Sequence, residues 1–274
     1  MRSGTQIQVV LTVPVLKFLK PLNISALRCS LVFESNREVA VIDATLEWPR
    51  YSNRFNELLG DDIKKYKAMK HEFPADPEVV VISGSTSGIY EDEEWIDELV
   101  RKTEEYIEND VPVLGLCFGH QIIAKAMGAD VVQMDNYEVG YRPVEFEDSE
   151  IFEGLDSVEY PFNTHQDKVV NMPEELESIA ETEVCNQGIR HTEKPVYGVQ
   201  FHPELTPPIK EKAIRTKDMP EEKKKRLMRE VNDANFHRAK RVLKIFENFF
   251  EAAERHHSAG KIGDERASSG RAAR

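Results

Sequence analysis

Apolar and polar positions alternate in blocks from residue 39 onward. Short runs of buried-type residues predict strands, and segments with apolar positions at helical spacing predict amphipathic helices between them. The predicted strands span residues 39–44, 79–83 and 113–116, and the predicted helices span 52–59, 95–108 and 119–127. Strands that alternate with helices in this way predict an α/β fold, with a mostly parallel open sheet flanked by helices.

The pattern changes after Asp130. Shorter β-type pieces at residues 141–146, 159–163 and 196–200 predict a small antiparallel extension of the sheet. Beyond residue 205 the chain becomes charged and helical, and apolar residues recur at helical spacing between 235 and 253. We expect that stripe to pack on the sheet.

The chain therefore divides into four parts. Residues 1–36 precede the first strand as an N-terminal extension, which we expect to be disordered or to reflect an upstream start. Residues 37–205 form the α/β domain, 206–255 form C-terminal helices that pack on it, and 256–274 form a Ser/Gly/Ala/Arg-rich tail that we expect to be disordered.

Composition narrows the class of function. The formal net charge of −13 disfavours nucleic acid as a partner, because phosphate binding needs a basic surface. No run approaches the roughly 20 apolar residues of a membrane span. The three widely spaced cysteines, Cys29, Cys117 and Cys185, indicate reduced thiols without a metal-site pattern. We therefore expect a cytoplasmic protein with no metal, no cofactor and no membrane contact.

The stretch Gly115-Leu116-Cys117-Phe118-Gly119 lies between a predicted strand and a predicted helix. A nucleophile flanked by glycines two positions away, at a strand-to-helix turn, is typical of a nucleophile elbow. The helix N-terminus favours the thiolate form of the sulfur. A buried core cysteine is the alternative, and it is the usual fate of a free cysteine.

A cysteine nucleophile needs a base and a group that orients the base. His202 and Glu204 flank Pro203 directly after a predicted strand. The residue before a proline favours extended backbone, in which positions i and i+2 point the same way. Glu204 can then bind one imidazole nitrogen and leave the other facing the sulfur.

These motifs together resemble those of the class I (triad) glutamine amidotransferase family, over roughly residues 38–204. Within it, the chain is most similar to the glutaminase subunit or domain of GMP synthase and its stand-alone relatives. The resemblance rests on Gly115-x-Cys117-x-Gly119-x-Gln121 and on the segment from Gly198 to Glu204. Residues 79–90 resemble the family's oxyanion loop, and 163–169 resemble a segment that lines its glutamine site. The resemblance implies a flavodoxin-like fold.

The resemblance also implies roles. Cys117 would attack the glutamine side-chain amide and form a γ-glutamyl thioester, with His202 as the base and Glu204 as its orienter. The backbone amides of Ser85 and Phe118 would hold the oxyanion. Residues that would bind substrate are Gln121, Thr164, His165 and Gln166, although His165 could equally be a structural histidine.

Two positions depart from the family pattern. The family's Gly-Gly-Pro loop here reads Gly84-Ser85-Thr86, and Gln166 stands where the family has glycine. If the loop requires positive φ at Ser85, the change from glycine is costly. We therefore expect retained chemistry with altered substrate recognition.

The sequence contains no phosphate-binding loop of the pyrophosphatase type. Our first hypothesis is a glutaminase that supplies ammonia to a separate ATP-dependent synthetase, in purine biosynthesis of the GMP synthase kind. The second is a stand-alone γ-glutamyl hydrolase or peptidase. The third is a catalytically idle binding protein of the same fold.

Overall fold

The computed structural model of the chain describes residues 38–45 and 49–271, and for 49–50 and 259–271 it describes the backbone alone. The N-terminal extension predicted for residues 1–36 lies outside the described residues. Within these ranges the fold is a nine-stranded mixed sheet with helices on its faces and a separate two-stranded ribbon. The predicted α/β fold class is confirmed.

The sheet order is β2-β1-β3-β4-β11-β10-β9-β6-β7, and β5 pairs with β8 in the ribbon. The strands are β1 Val39–Asp43, β2 Lys64–Lys67, β3 Val79–Ile82, β4 Val113–Leu116, β5 Asp130–Tyr141, β6 Val144–Phe146, β7 Val158–Glu159, β8 Phe162–Val170, β9 Leu176–Glu181, β10 Asn186–His191 and β11 Val196–Val199. The helices are α1 Pro49–Leu59, α2 Glu94–Glu108, α3 Phe118–Ala126, α4 Pro207–Thr216, α5 Glu221–Glu230, α6 Asp233–Ala239 and α7 Lys244–Arg271.

One half of the sheet is parallel, from β2 through β1, β3 and β4 to β11. Strands β1, β3 and β4 are fully buried, which matches their continuous Val/Ile/Leu runs. Strand β2 is an exposed edge strand rich in lysine, so it lacks the apolar pattern from which a strand is predicted. The other half, from β11 to β7, is antiparallel.

The C-terminal helices cover one face of the sheet. In α7 and the short 3₁₀ turn before it, the apolar stripe is buried in the same core cluster as the strands. Phe249 packs edge-on against Tyr197 of β11, with ring centroids 6.1 Å apart. The expected packing of this stripe on the sheet is therefore present in the structure.

The tail predicted to be disordered from residue 256 onward instead continues α7 as far as Arg271. Its alanine, glutamate, lysine and arginine residues are good helix formers, and they extend a helix whose first half is packed. Residues 272–274 lie outside the described part of the chain.

Strands β1, β3, β4 and β11 are parallel, so their carboxyl ends meet at one edge of the sheet. In open α/β sheets this edge is where ligands bind. The Gly84 loop, Cys117 and His202 follow β3, β4 and β11 respectively, so the topology gathers them there. No helix in the described ranges is both long and apolar enough to cross a lipid bilayer.

Candidate active site

Cys117 lies in a strained turn between β4 and α3. Its backbone has φ 52° and ψ −98°, a conformation that L-residues with a side chain rarely adopt. A Cβ at Gly115 would lie 2.3 Å from the Gly119 backbone, and one at Gly119 would lie 2.4 Å from the Ile82 carbonyl oxygen. Only glycine fits at either position, so the elbow geometry that the sequence predicts is present.

His202 and Glu204 form a buried hydrogen-bonded pair. The Nδ1 of His202 lies 2.7 Å from Oε1 of Glu204, and the backbone N–H of His202 donates a 2.9 Å hydrogen bond to the Phe162 carbonyl. The imidazole also has a hydrogen-bonding and electrostatic contact with Cys117. The structure thus brings together the three residues that the motifs single out.

The contact between His202 and Glu204 shifts the pKa of both residues. Burial alone would lower the pKa of His202, but the attraction and hydrogen bonds of Cys117 and Glu204 outweigh it and raise that pKa to about 10. Burial would raise the pKa of Glu204, but His202 and the hydroxyl of Tyr51 hold it below its ordinary value. The contact between the two residues thus favours the charged form of each.

Tyr51 of α1 connects Glu204 to the loop after β3. Its hydroxyl donates a 2.7 Å hydrogen bond to Oε1 of Glu204 and accepts one of 3.1 Å from the Gly84 amide. Burial raises the pKa of Tyr51 well above its usual range, and the neighbouring Glu204 raises it further, so the hydroxyl stays protonated. No motif in the sequence indicates that Tyr51 belongs to the site.

The loop Gly84-Ser85-Thr86 lies against the imidazole. A Cβ at Gly84 would come within 3.0 Å of Cε1 of His202, which accounts for glycine there. Among the described non-glycine residues, positive φ occurs at His71, Asp110, Cys117 and Asn171. Ser85 is not one of them, so its backbone carries no left-handed strain. Because the Gly84 amide already binds Tyr51, the Ser85 amide is the better candidate for the oxyanion.

The side chain of Gln121 is buried against Gln200 and does not line the cavity beside His202. Its Nε2 donates a 3.1 Å hydrogen bond to Oε1 of Gln200, and Nε2 of Gln200 lies 3.4 Å from Sγ of Cys117. Both side chains are buried. The side chain of Gln121 therefore reaches Cys117 only through Gln200, a residue that no motif indicates.

A cavity opens beside His202 at this edge of the sheet. Its lining combines the Gly84 loop, one residue of β8 and the last turn of α4, through Thr45, Tyr51, Gly84, Ser85, Thr86, Thr164, His202, Leu205, Ala213, Thr216 and Lys217. Of the four residues expected to bind substrate, Thr164 lines this cavity and Gln121, His165 and Gln166 do not. His165 instead contacts Glu138 of β5, at 3.1 Å between Nε2 and Oε2.

Lys217 is a further residue that the motifs did not predict. It lines the cavity from the end of α4, and its ammonium lies over the Tyr137 ring, 4.7 Å from the centroid. Burial lowers its pKa, while Cys117 and Asp167 oppose that shift. A cation in this cavity could hold a carboxylate. The sequence signal was absent because Lys217 lies in a charged segment without a motif.

Known proteins resemble this chain in both sequence and structure. The family model that describes class-I glutamine amidotransferases matches residues 37–219. The glutamine-hydrolysing subunit of GMP synthase from Methanobrevibacter smithii is 42% identical over 108 residues, which are 38% of this chain and 56% of that protein. The corresponding subunit from Archaeoglobus fulgidus is 43% identical over 102 residues, 36% of this chain and 55% of that protein.

The match thus spans about half the length of each of these two relatives. A crystal structure of a glutamine amidotransferase from Thermotoga maritima superimposes with a TM-score of 0.63 at 24% identity, covering 79% of this chain and 99% of that one, and supports the fold. With the family model matched over more than half its residues, the chain belongs to the class-I glutamine amidotransferases.

Proposed function

We propose that this chain hydrolyses the side-chain amide of glutamine and delivers the ammonia to a separate synthetase of the GMP synthase kind. The observation that carries the proposal is the elbow cysteine in contact with a buried His202–Glu204 pair. The names of the relatives in Methanobrevibacter and Archaeoglobus, both glutamine-hydrolysing subunits, support the same substrate.

The chemistry begins with attack of the Cys117 thiolate on the δ-carbonyl carbon of glutamine. The oxygen gains negative charge, and the backbone amides of Ser85 and Phe118 are its proposed donors. Phe118 is the first residue of α3, where backbone amides have no intrahelical acceptor. The His202 imidazolium then gives its proton to the leaving nitrogen, and ammonia departs from a γ-glutamyl thioester.

The second half of the reaction returns the site to its starting state. Neutral His202 takes a proton from water as the water oxygen attacks the thioester carbon. The carbon–sulfur bond breaks, glutamate leaves, and the thiolate–imidazolium pair is restored. Glu204 and Tyr51 keep the imidazole oriented in both halves, because Glu204 binds its Nδ1 and Tyr51 binds Glu204, on the side away from the sulfur.

Lys217 gives the proposed substrate a second anchor. A γ-glutamyl substrate carries an α-carboxylate, and Lys217 is a cation in the lining of the cavity. We assign it to that carboxylate. Glutamine and γ-glutamyl peptides share this group, so the contact fits both.

One observation favours a stand-alone γ-glutamyl hydrolase as a second candidate. The loop beside His202 carries Ser85 and Thr86 in place of glycine and proline, and both line the cavity. The family holds its substrate at this place. Changed side chains here are compatible with a γ-glutamyl substrate other than glutamine.

The experiment compares substrates and partners. Purified protein is given glutamine or a panel of γ-glutamyl amides and peptides, alone and with the ATP-pyrophosphatase subunit of a GMP synthase, and ammonia and glutamate are measured. We expect weak hydrolysis of glutamine that the synthetase accelerates and that Cys117→Ala abolishes. Fast, unstimulated cleavage of a γ-glutamyl peptide with poor action on glutamine would establish the hydrolase instead.

A further inference from the structure

A second cluster of reactive side chains lies on the antiparallel side of the molecule, outside the proposed active site. It contains Glu138 of β5, His165 of β8, Cys185 in the turn between β9 and β10, and Gln187 of β10. Glu138 and His165 face each other in the β5–β8 register. Glu138, His165 and Gln187 are buried, and Cys185 is half-buried. We name this set the Glu138 cluster.

The distances within the Glu138 cluster resemble the edges of a coordination tetrahedron. Oε2 of Glu138 lies 3.1 Å from Nε2 of His165, 3.7 Å from Sγ of Cys185 and 2.8 Å from Nε2 of Gln187. The Gln187 nitrogen lies 3.3 Å from Sγ of Cys185 and 3.4 Å from Nε2 of His165. Zinc bonds to nitrogen, oxygen and sulfur imply ligand-to-ligand distances of about 3.3–3.6 Å at tetrahedral angles.

The imidazole of His165 is oriented as a metal ligand requires. Its Nδ1 lies 3.0 Å from the backbone carbonyl oxygen of Asp167, so Nδ1 carries the proton that is donated there. The lone pair on Nε2 then points at the carboxylate of Glu138. Two lone pairs that face each other in a buried place need a cation between them, which is either a proton or a metal ion. A histidine whose second nitrogen donates to a carbonyl is the usual second shell of a metal site.

The buried side-chain amide of Gln187 also points to a missing ligand in the Glu138 cluster. Its side chain is fully buried, and its Oε1 has no hydrogen-bond partner among the described residues. Its Nε2 is crowded against the carboxylate, the imidazole and the thiol at once. The two ends of an amide are interchangeable by a rotation of the side chain. That rotation would turn Oε1 into the cluster and supply a neutral fourth ligand.

We propose that the Glu138 cluster binds one divalent transition-metal ion of the Zn²⁺ class. Glu138, His165 and Cys185 are its charged and imidazole ligands, and the Gln187 carbonyl is the fourth. On binding, the Cys185 thiol releases its proton to solvent and a sulfur–metal bond forms. One thiolate and one carboxylate then neutralise the two charges of the ion, so the buried site carries no net charge.

The proposed ion would join segments that are distant in the chain. It would fix β8 to β5 and to the β9–β10 turn, next to Thr164, which lines the cavity of the candidate active site. The mixed thiolate, imidazole and carboxylate set suits zinc rather than the oxygen-only preference of magnesium or calcium. With four protein ligands the site is closed, and closed sites are structural.

The test uses the full-length protein, purified without a polyhistidine tag and stripped of metal. Co²⁺ is titrated while absorption is recorded, and Zn²⁺ is then added to displace it. The variants are Cys185→Ser and Glu138→Gln, which nearly preserve side-chain size. The matched controls are Cys117→Ser and His191→Asn, because both residues lie outside the Glu138 cluster. Circular dichroism establishes that each variant is folded.

We expect one equivalent of Co²⁺ to produce a thiolate-to-cobalt charge-transfer band, with Zn²⁺ removing the band and raising the unfolding temperature. Cys185→Ser should abolish the band, Glu138→Gln should weaken binding at least about tenfold, and both controls should bind Co²⁺ as the wild type does. The proposal is overturned if the wild type binds no metal at one equivalent. It is equally overturned if the band persists in Cys185→Ser or is lost in Cys117→Ser. If Cys185→Ser does not fold, the Glu138→Gln variant decides the question by itself. Metal binding by that variant as tight as in the wild type would overturn the proposal.

Discussion

Tyr51 donates a 2.7 Å hydrogen bond to Oε1 of Glu204, although 153 positions separate the two residues. The same carboxylate oxygen accepts from His202, and the Tyr51 hydroxyl accepts from the Gly84 amide. Tyr51 therefore sets the distance between the proposed orienting carboxylate and the proposed oxyanion loop. Because it touches no reacting atom, it is a positioning residue.

Tyr51→Phe should lower kcat for glutamine hydrolysis by about 10-fold to 100-fold, since a hydrogen bond to a charged group contributes about 1.5–3 kcal/mol. Tyr106→Phe is the matched control, because that buried hydroxyl donates a 2.8 Å hydrogen bond to the Pro74 carbonyl, away from the site. Steady-state kinetics and thermal unfolding are measured for both. Equal losses of kcat in the two variants would contradict a specific role for Tyr51.

Gly84→Ala should displace the His202 imidazole and lower activity without unfolding the protein. The new Cβ would lie 3.0 Å from Cε1 of His202 and 3.2 Å from the Tyr51 hydroxyl, so these groups must shift. We expect kcat to fall by about tenfold or more, as small displacements of catalytic groups do. Gly88→Ala is the control in the same loop, because the atoms nearest to its Cβ belong to the side chain of Tyr90, which is exposed and can move aside. An active Gly84→Ala enzyme would contradict the geometry.

Lys217→Met should raise KM for glutamine by about tenfold and leave kcat nearly unchanged, because the lost contact is to a part of the substrate that does not react. Glutamine methyl ester has no α-carboxylate charge, so its KM should not respond to the substitution. Lys225→Met, at an exposed ion pair with Glu222 on α5, is the control. An equal increase in KM for glutamine and its ester would show that Lys217 does not bind the carboxylate.

The raised pKa of His202 predicts a pH dependence with a definite sign. A group whose folded pKa exceeds its unfolded value contributes stability that is complete below the unfolded pKa, near 6.5, and is lost as pH rises toward the folded pKa of about 10. The unfolding free energy of the wild type should therefore fall more steeply between these pH values than that of His202→Asn. Parallel curves in denaturant titrations would contradict the assignment.

The pKa of the His202 imidazole can also be measured directly in a variant that lacks the Cys117 sulfur. Burial alone lowers the pKa of His202. Cys117 and Glu204 raise it, and Cys117 has the larger effect. In Cys117→Ala the pKa of His202, followed by NMR, should therefore drop while Glu204 still holds the ring. An unchanged pKa would mean that Cys117 and His202 do not form a charge pair.

The parts of the site that are local in the chain were predictable from the sequence. The elbow was predictable because Gly115 and Gly119 leave no room for a side chain, and the His-Pro-Glu turn because Pro203 fixes the local backbone. Tyr51, Gln200 and Lys217 were missed because each joins the site through contacts across the fold. Nothing in their immediate neighbours along the chain indicates that role.

The same limit applies to the fold. The central strands were predictable from their continuous apolar runs, whereas edge strand β2 and the continuation of α7 past residue 256 were not. The wide spacing of the cysteines pointed away from any metal site. The β5–β8 register is what brings Glu138 opposite His165, and register between distant strands does not follow from local spacing.

Mass spectrometry of the trapped protein tests whether Cys117 forms a covalent γ-glutamyl thioester. Protein is mixed with glutamine, quenched in acid during turnover and digested. We predict that the mass of one glutamyl group is added to the peptide that contains Cys117, with Cys29 and Cys185 unmodified and no adduct in Cys117→Ala. Turnover of glutamine with the adduct on another residue, or in the Cys117→Ala protein, would contradict nucleophilic attack by Cys117.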